Sequence, residues 1–331
     1  MAILSFSEAA RDALREEMRR DSSIWALGED LGQGGIFAQY SGLAEEFGSE
    51  RIVDTPISEA TIMGASVGAA IVGTRPVVEM RFSDFALCAV DELVNQAAKA
   101  RYMFGGQCRV PLVARQPIGI EGSHAAQHSQ SLEAWWVHIP GLVVVAPATP
   151  SDNKGLLKSA IRCDDPVVYL EHKGLWGLEG EVSDEEDWIV PLGVARVARE
   201  GADITIVTWS SMVQVAESAA DLVAANGISV EIIDLRTLWP WDEEKVCESI
   251  EKTGHVLIVH EAVQVAGFGA EVFATIVERV GNSLKHPPRR MGGPRIPVPY
   301  SPPLEELCTI SSRQIAEAIK SLLYPNVSPR N

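Results

Sequence analysis

Residues 142–171, LVVVAPATPSDNKGLLKSAIRCDDPVVYLE, hold the pattern that decides the fold. LVVVAP (142–147) and PVVYLE (166–171) are short, continuous apolar runs, and SDNKGLLKSAIR (151–162) between them reads as a helix. Strands apolar on both faces and joined through a helix predict a parallel pair inside a sheet that is covered on both sides. The same alternation extends outward. IWAL (24–27), PVVEM (76–80) and PLVAR (111–115) are further candidate strands, and AVDELVNQAAKARYMF (89–104) is a candidate helix. At the N-terminus Ser5 and Glu8 have capping-box spacing, followed by Ala10, Leu14 and Met18 at helical intervals, so a helix is predicted to start near Ser7.

Beyond residue 176 the pattern lapses into WGLEGEVSDEED (176–187), whose glycines and clustered acids could not be buried cheaply. The alternation then resumes with ITIVTW (204–209), VEIIDL (230–235) and HVLIVH (255–260). These are separated by VQVAESAADLVAANG (213–227) and WDEEKVCESIEKTG (241–254), each closing on a glycine as helices often do. The prediction is an α/β chain of two open, mostly parallel-sheet domains, at 1–178 and 199–325, with a linker at 179–198.

Length and composition agree with this. The 331 residues are 46% apolar, enough to give two domains a core each. A formal charge of -17 would repel nucleic acid and anionic membrane surfaces, so neither is an expected partner. The five cysteines are scattered, with no C-x-x-C or zinc-like spacing, which fits a reducing cytoplasm. No export signal and no membrane span is read from the chain.

The common nucleotide and nucleophile signatures are missing. There is no G-x-x-x-x-G-K-[ST], neither GQGG (32–35) nor GFGAE (267–271) completes G-x-G-x-x-G, and G-x-S-x-G does not occur. What remains is polar groups at expected strand ends, where open α/β sheets bind ligands. In IVDTPISEA (52–60) a lone carboxylate, Glu59, stands at the mouth of the small-residue helix ATIMGASVGAAIVG. Its bland role is to interact with the helix dipole; its functional role would be that of a site acid, with Ile57 and Met63 as apolar surroundings. Phe82 and Phe85 in EMRFSDF (79–85) would by default be core aromatics. GIEGSHAAQHSQ (119–130) is a long glycine-rich loop after a strand, and its His128 could transfer protons near neutral pH.

Taken together, DTPISE (54–59), EMRFSDF (79–85), NQAAKARYMFGG (95–106), AAQHSQSLEAWW (125–136), HIPGLVVVAPATPSDNKGLLKSAIR (138–162) and DLRTLWPWD (234–242) resemble the β subunit of the E1 component of 2-oxoacid dehydrogenase complexes. The likeness runs over nearly the whole chain, in order. It is strongest to the pyruvate and acetoin branches, through RYMFGG, AAQHSQSLEAW and EHKGLW, and weaker to the branched-chain branch at the residues before HSQ.

The resemblance implies a transketolase-like pyrimidine-binding domain followed by a transketolase C-terminal domain. It also implies an oxidoreductase that uses thiamine diphosphate in an α2β2 heterotetramer and delivers an acyl group to lipoamide on an E2 acyltransferase core. The family's α subunit carries Gly-Asp-Gly and Asn-Asn, which grip the diphosphate and Mg2+. Neither motif occurs here.

By the same likeness Glu59 is the acid that bonds the aminopyrimidine and favours the tautomer that activates the thiazolium. Phe85 is the aromatic that stacks on that ring, and Glu29 an acid near it. His128 lies near the reacting carbon, with Gln127 beside it on the substrate. His124 is not clearly matched. The carbonyls of Leu112, Ala160, Ile161, Cys163 and Asp165 match a structural potassium site found in some relatives, with Cys163 departing from the usual acid. Alternatives are a branched-chain E1 β subunit, a two-subunit transketolase-like enzyme, and a non-catalytic docking subunit.

Overall fold

The computed structural model of the chain describes residues 1–185 and 187–324. Residue 186, within the expected linker, and residue 325, the expected end of the second domain, lie outside the described residues. Eight strands come first: β1 (Ala2–Ser5), β2 (Ile24–Gly28), β3 (Ile52–Asp54), β4 (Arg75–Glu79), β5 (Val113–Ile118), β6 (Val143–Val145), β7 (Val167–His172) and β8 (Glu179–Val182). Six follow: β9 (Arg196–Arg199), β10 (Ile204–Thr208), β11 (Val230–Asp234), β12 (Thr237–Trp239), β13 (Val256–Val263) and β14 (Arg289–Gly293).

The chain divides into two compact units. The first comprises residues 1–119, 135–192 and 237–240. Its seven-stranded sheet has the order β12-β6-β7-β5-β4-β2-β3, parallel except where β12 joins β6 antiparallel. The apolar runs read from the sequence are these strands. Ile24, Ala26, Val77, Val113, Val145 and Val167 are buried against the helices Phe6–Arg20 and Pro150–Arg162. Ser5 caps the first of these helices, with its hydroxyl accepting from the Glu8 N–H and Glu8 reaching back to the Ser5 N–H, so the helix begins one residue before Ser7. Thr149 caps the second, with Pro150 in its first turn.

The second unit comprises residues 120–134, 193–236 and from 241 onward. Its five-stranded sheet runs β14-β13-β10-β11-β9, with only β9 antiparallel. The helices Met212–Ala224 and Ser312–Leu323 pack on Ile204, Ile206, Ile232, Leu257 and Val259. A helix not foreseen in the sequence, Gly269–Val280, begins within GFGAE.

Two chain crossings have no local sequence signal. Residues 120–134 group with the second unit, where Glu261 accepts from the Ile120 N–H at 2.9 Å and the Ser131 hydroxyl at 3.1 Å. Residues 237–240 add the edge strand β12 to the first sheet. The acid-rich stretch after residue 176 is not featureless: its start pairs as β8 with β1.

Candidate functional site

The order of the first sheet places a topological switch at β2. The chain passes from β2 to β3 on one side and then to β4 on the other, and all three strands are parallel. Their carboxyl ends open together, the arrangement in which open α/β sheets form ligand crevices. Glu29 follows β2, the DTPIS turn leads from β3 to Glu59, and Arg81–Phe85 follow β4. The structure therefore brings Glu29, Glu59 and Phe85 to one end of one sheet, on three adjacent strands.

Glu59 opens the helix Glu59–Ile71, half-buried, at the positive end of the dipole. Among the described residues its carboxylate makes no hydrogen bond or ion pair. Of the apolar neighbours expected for it, Met63 is buried but Ile57 is 79% exposed, because the DTPIS turn throws it outward. Phe85 is half-buried and meets Phe82 edge to face, ring centroids 5.6 Å apart. Phe82 also lies under the Lys173 ammonium at 5.0 Å, so neither ring is a fully buried core aromatic. Glu29, its side chain only 10% exposed, accepts from Arg81 Nε at 3.1 Å.

Beneath these groups lies a buried ionic cluster that the sequence reading did not single out. Arg115 of β5 donates to Glu171 of β7 through Nε (2.8 Å) and Nη2 (3.0 Å), and its Nη1 lies 3.7 Å from Glu79 of β4. Tyr40 donates to Glu79 at 2.9 Å and Gln39 at 3.4 Å. Burial pushes the Glu79 carboxyl up to about 7, opposed by the Arg115 charge. The sequence signal was there: a charge inside each of the apolar runs PVVEM, PLVAR and PVVYLE.

Gln127 and His128 lie in the 120–134 segment of the second unit, Gln127 exposed and His128 half-buried. His124 is exposed in the same segment. The potassium candidates gather at the C-terminus of the helix Pro150–Arg162 and at the entry to β5. There Arg75 Nη1 donates to the carbonyls of Ile161 (3.1 Å) and Cys163 (3.0 Å), and Nη2 pairs with Asp164 at 2.7 Å. The carbonyls of Leu112 and Ala160 accept from Val167 and Cys163, and the Asp165 side chain pairs with Arg101. Positive charge at two of these carbonyls is thus already supplied by the chain. Among the described residues no three His, Cys, Asp or Glu side chains are grouped to hold a metal, and no helix is long and apolar enough to cross a membrane.

The residues present fit the aminopyrimidine end of thiamine diphosphate: a partnerless carboxylate, a half-buried aromatic face and a second, fixed carboxylate on neighbouring strand ends.

Comparison with known proteins agrees with this geometry. Residues 3–177 match the transketolase pyrimidine-binding domain, and residues 193–315 the transketolase C-terminal domain. The 2-oxoisovalerate dehydrogenase subunit beta of Bacillus subtilis (strain 168) is 42% identical over 325 residues, covering 97% of this chain and 99% of that one. The pyruvate dehydrogenase E1 component subunit beta of Rhizobium meliloti (strain 1021) is 42% identical over 325 residues, covering 98% and 71%. The acetoin:2,6-dichlorophenolindophenol oxidoreductase subunit beta of Cupriavidus necator is 43% identical over 331 residues, covering 97% of each. Among solved structures, a split gene transketolase in an inactive beta4 tetramer superposes with a TM-score of 0.79 at 24% identity, over 97% of this chain and 98% of that one, a likeness of fold. The three named activities stand within 42–43% identity, so the branched-chain type is as near as the pyruvate and acetoin types. The chain belongs to the transketolase-like thiamine diphosphate family, among the E1 beta subunits of 2-oxoacid and acetoin dehydrogenases.

Proposed function

We infer that this chain is the β half of a heterotetrameric E1 component that decarboxylates pyruvate, or cleaves acetoin, and passes the acyl group to lipoamide on an E2 acyltransferase core. The observation that carries it is the Glu59 carboxylate, left without a partner at the switch point of the first sheet and flanked by Glu29 and Phe85. Thiamine diphosphate supplies the nucleophilic carbon and the electron sink for cleavage next to a carbonyl. Glu59 would hold the pyrimidine and the proton at its ring nitrogen, Phe85 would cover its face and exclude water, and Glu29 would complete the polar rim. Gln127 and His128 would serve the substrate and the proton transfers around it.

With no Gly-Asp-Gly or Asn-Asn in the sequence, the diphosphate and Mg2+ fall to an α subunit. Apolar side chains at the end of the Glu59 helix and beside it support such a partner: Val72 is 81% exposed, Met103 69% and Phe104 56%. The carbonyls of Leu112, Ala160, Ile161, Cys163 and Asp165 are the set that would take a potassium ion, sharing Ile161 and Cys163 with Arg75 through their second lone pairs. Five free cysteines suit a cytoplasmic setting.

A branched-chain 2-oxoacid substrate is the second reading, favoured by the 42% identity to the 2-oxoisovalerate enzyme's subunit. Reconstitution with an α chain tests both. Thiamine diphosphate binding by calorimetry and acyl-lipoyl formation are expected, with pyruvate, acetoin and 2-oxoisovalerate compared as substrates. Absence of cofactor binding by the assembled tetramer would overturn the proposal.

A further inference from the structure

Arg81 lies across the switch point. It follows β4 by two residues, yet its guanidinium reaches the two consecutive acids that follow β2. Nε donates to Glu29 Oε2 at 3.1 Å, and Nη2 pairs with Asp30 in a short contact. The reach depends on a close approach of the two strands. At Gly28 a Cβ would lie 2.8 Å from the Glu79 carbonyl oxygen, so any other residue there would push β2 off β4.

The two acids are not equivalent. Asp30 is 55% exposed at the side chain, whereas Glu29 is only 10% exposed. Asp30 stands in the left-handed region at φ 58°, and its carbonyl accepts from the Gly35 N–H at 3.0 Å, so that part of the clamp anchors the LGQGG turn. The Glu29 part acts on a nearly buried carboxylate beside the candidate cofactor site. A single donor to Oε2 fixes the rotamer of Glu29 and leaves Oε1 to face another group. It also balances one negative charge at the end of the sheet where Glu59 opens its helix.

Resting on the assignment of Glu29, Glu59 and Phe85 to the aminopyrimidine, we propose that Arg81 is a positioning residue for that site, presenting the Glu29 carboxylate to the cofactor through the Nε–Oε2 bond. Arg81 touches no reacting atom in this role. Its effect passes through Glu29, so the two residues behave as one unit in binding.

The test is a double-mutant cycle on the reconstituted tetramer with Arg81→Gln, Glu29→Gln and the double variant, each checked for assembly and melting temperature. Arg81→Gln raises the thiamine diphosphate Kd by about tenfold, the size of one lost charge-assisted hydrogen bond. In the Glu29→Gln background the same change costs less than about twofold, since coupled residues are non-additive. Arg81→Lys restores part of the affinity. Asp30→Asn leaves Kd unchanged, which separates the turn from the carboxylate. The proposal is overturned if the Arg81 and Glu29 effects multiply, if Arg81→Gln leaves Kd unchanged, or if Asp30→Asn reproduces the loss. Failure of the underlying assignment looks different: wild-type tetramer then binds no thiamine diphosphate, or Glu59→Gln turns over normally.

Discussion

Glu79 gives the sharpest quantitative test of the first unit. Burial moves its carboxyl from 4.5 to about 7, against the pull of Arg115. At roughly 1.4 kcal/mol per pKa unit, ionising Glu79 inside the fold is harder than in the unfolded chain by about 3 kcal/mol. The folded state holds this proton where the unfolded state has lost it. Stability therefore falls as pH rises from 4.5 to about 7 and is level beyond. Glu79→Gln keeps the shape and an acceptor for the Tyr40 hydroxyl, and has nothing to ionise. Its stability relative to wild type should rise by about 3 kcal/mol between pH 4.5 and 7.5. Hydrogen exchange of the β4 and β5 amides across that range reads the opening free energy of this unit. Groups common to both proteins cancel in the difference. A difference that stays flat with pH, or turns in favour of wild type at high pH, would show that Arg115 holds Glu79 ionised and would refute the reasoning.

Three further outcomes follow from other parts of the chain. Glu59→Gln should lower kcat of the assembled enzyme by at least about a hundredfold while the tetramer still forms, and turnover within threefold of wild type rejects its role as the site acid. In Gly141→Ala the new Cβ would lie 2.0 Å from the Ala98 carbonyl oxygen at φ +102°, a loss of about 3 kcal/mol or more. Gly42→Ala, in the left-handed region at φ +77° and ψ -2° with nothing nearer than Arg15 Nη2 at 3.8 Å, should cost only about 1 kcal/mol, and equal melting shifts would dismiss the contact argument. In the second unit His260 is fully buried, stacked on Trp209 with centroids 5.4 Å apart and enclosed by Gly267, Gly269 and Gly292, and burial pushes it down to about 4. The fold then binds fewer protons than the unfolded chain, so stability is lost as pH falls from 6.5 towards 4, by about 3 kcal/mol, and His260→Gln should flatten exchange from β10 and β13 over that window.

The central strands were legible because burial on both faces leaves few positions for polar residues. Ile204, Ile206, Ile232 and Val259 have no solvent-facing position to interrupt the run. The helices were legible where one face is polar, as in Phe6–Arg20 with its Ser5 and Glu8 cap. Two strands escaped for one cause, a partner far along the chain. Strand β8 exists because Ala2–Ser5 pairs with it from nearly 180 residues away, and β12 exists because β6 offers an open edge. Neither stretch is apolar enough to announce itself. The 120–134 segment reads as a loop of the first domain, whereas Glu261 and Glu305, which accept from its backbone N–H groups, and Trp209, which donates to Glu133, show that it folds with the second unit.

The same distinction holds at the site. Glu59, Glu29 and Phe85 could be singled out because motifs survive as residue types in order, and the parallel register of β2, β3 and β4 then explains why residues 30 and 26 positions apart share one end of a sheet. Interactions between side chains and backbone leave no such trace. The potassium candidates are carbonyls, which every residue has, so nothing in the sequence shows that Arg75 already donates to two of them. Arg81 and Arg115 are alike in composition and opposite in use. Arg115 is 1% exposed, donates twice to Glu171 and serves the stability of the sheet. Arg81 is 20% exposed at the strand ends and binds the two acids that follow β2. Arg81 lies only two residues beyond Glu79, the register partner of Arg115, and only the register of β4 against β2 and β5 makes the difference in their surroundings visible.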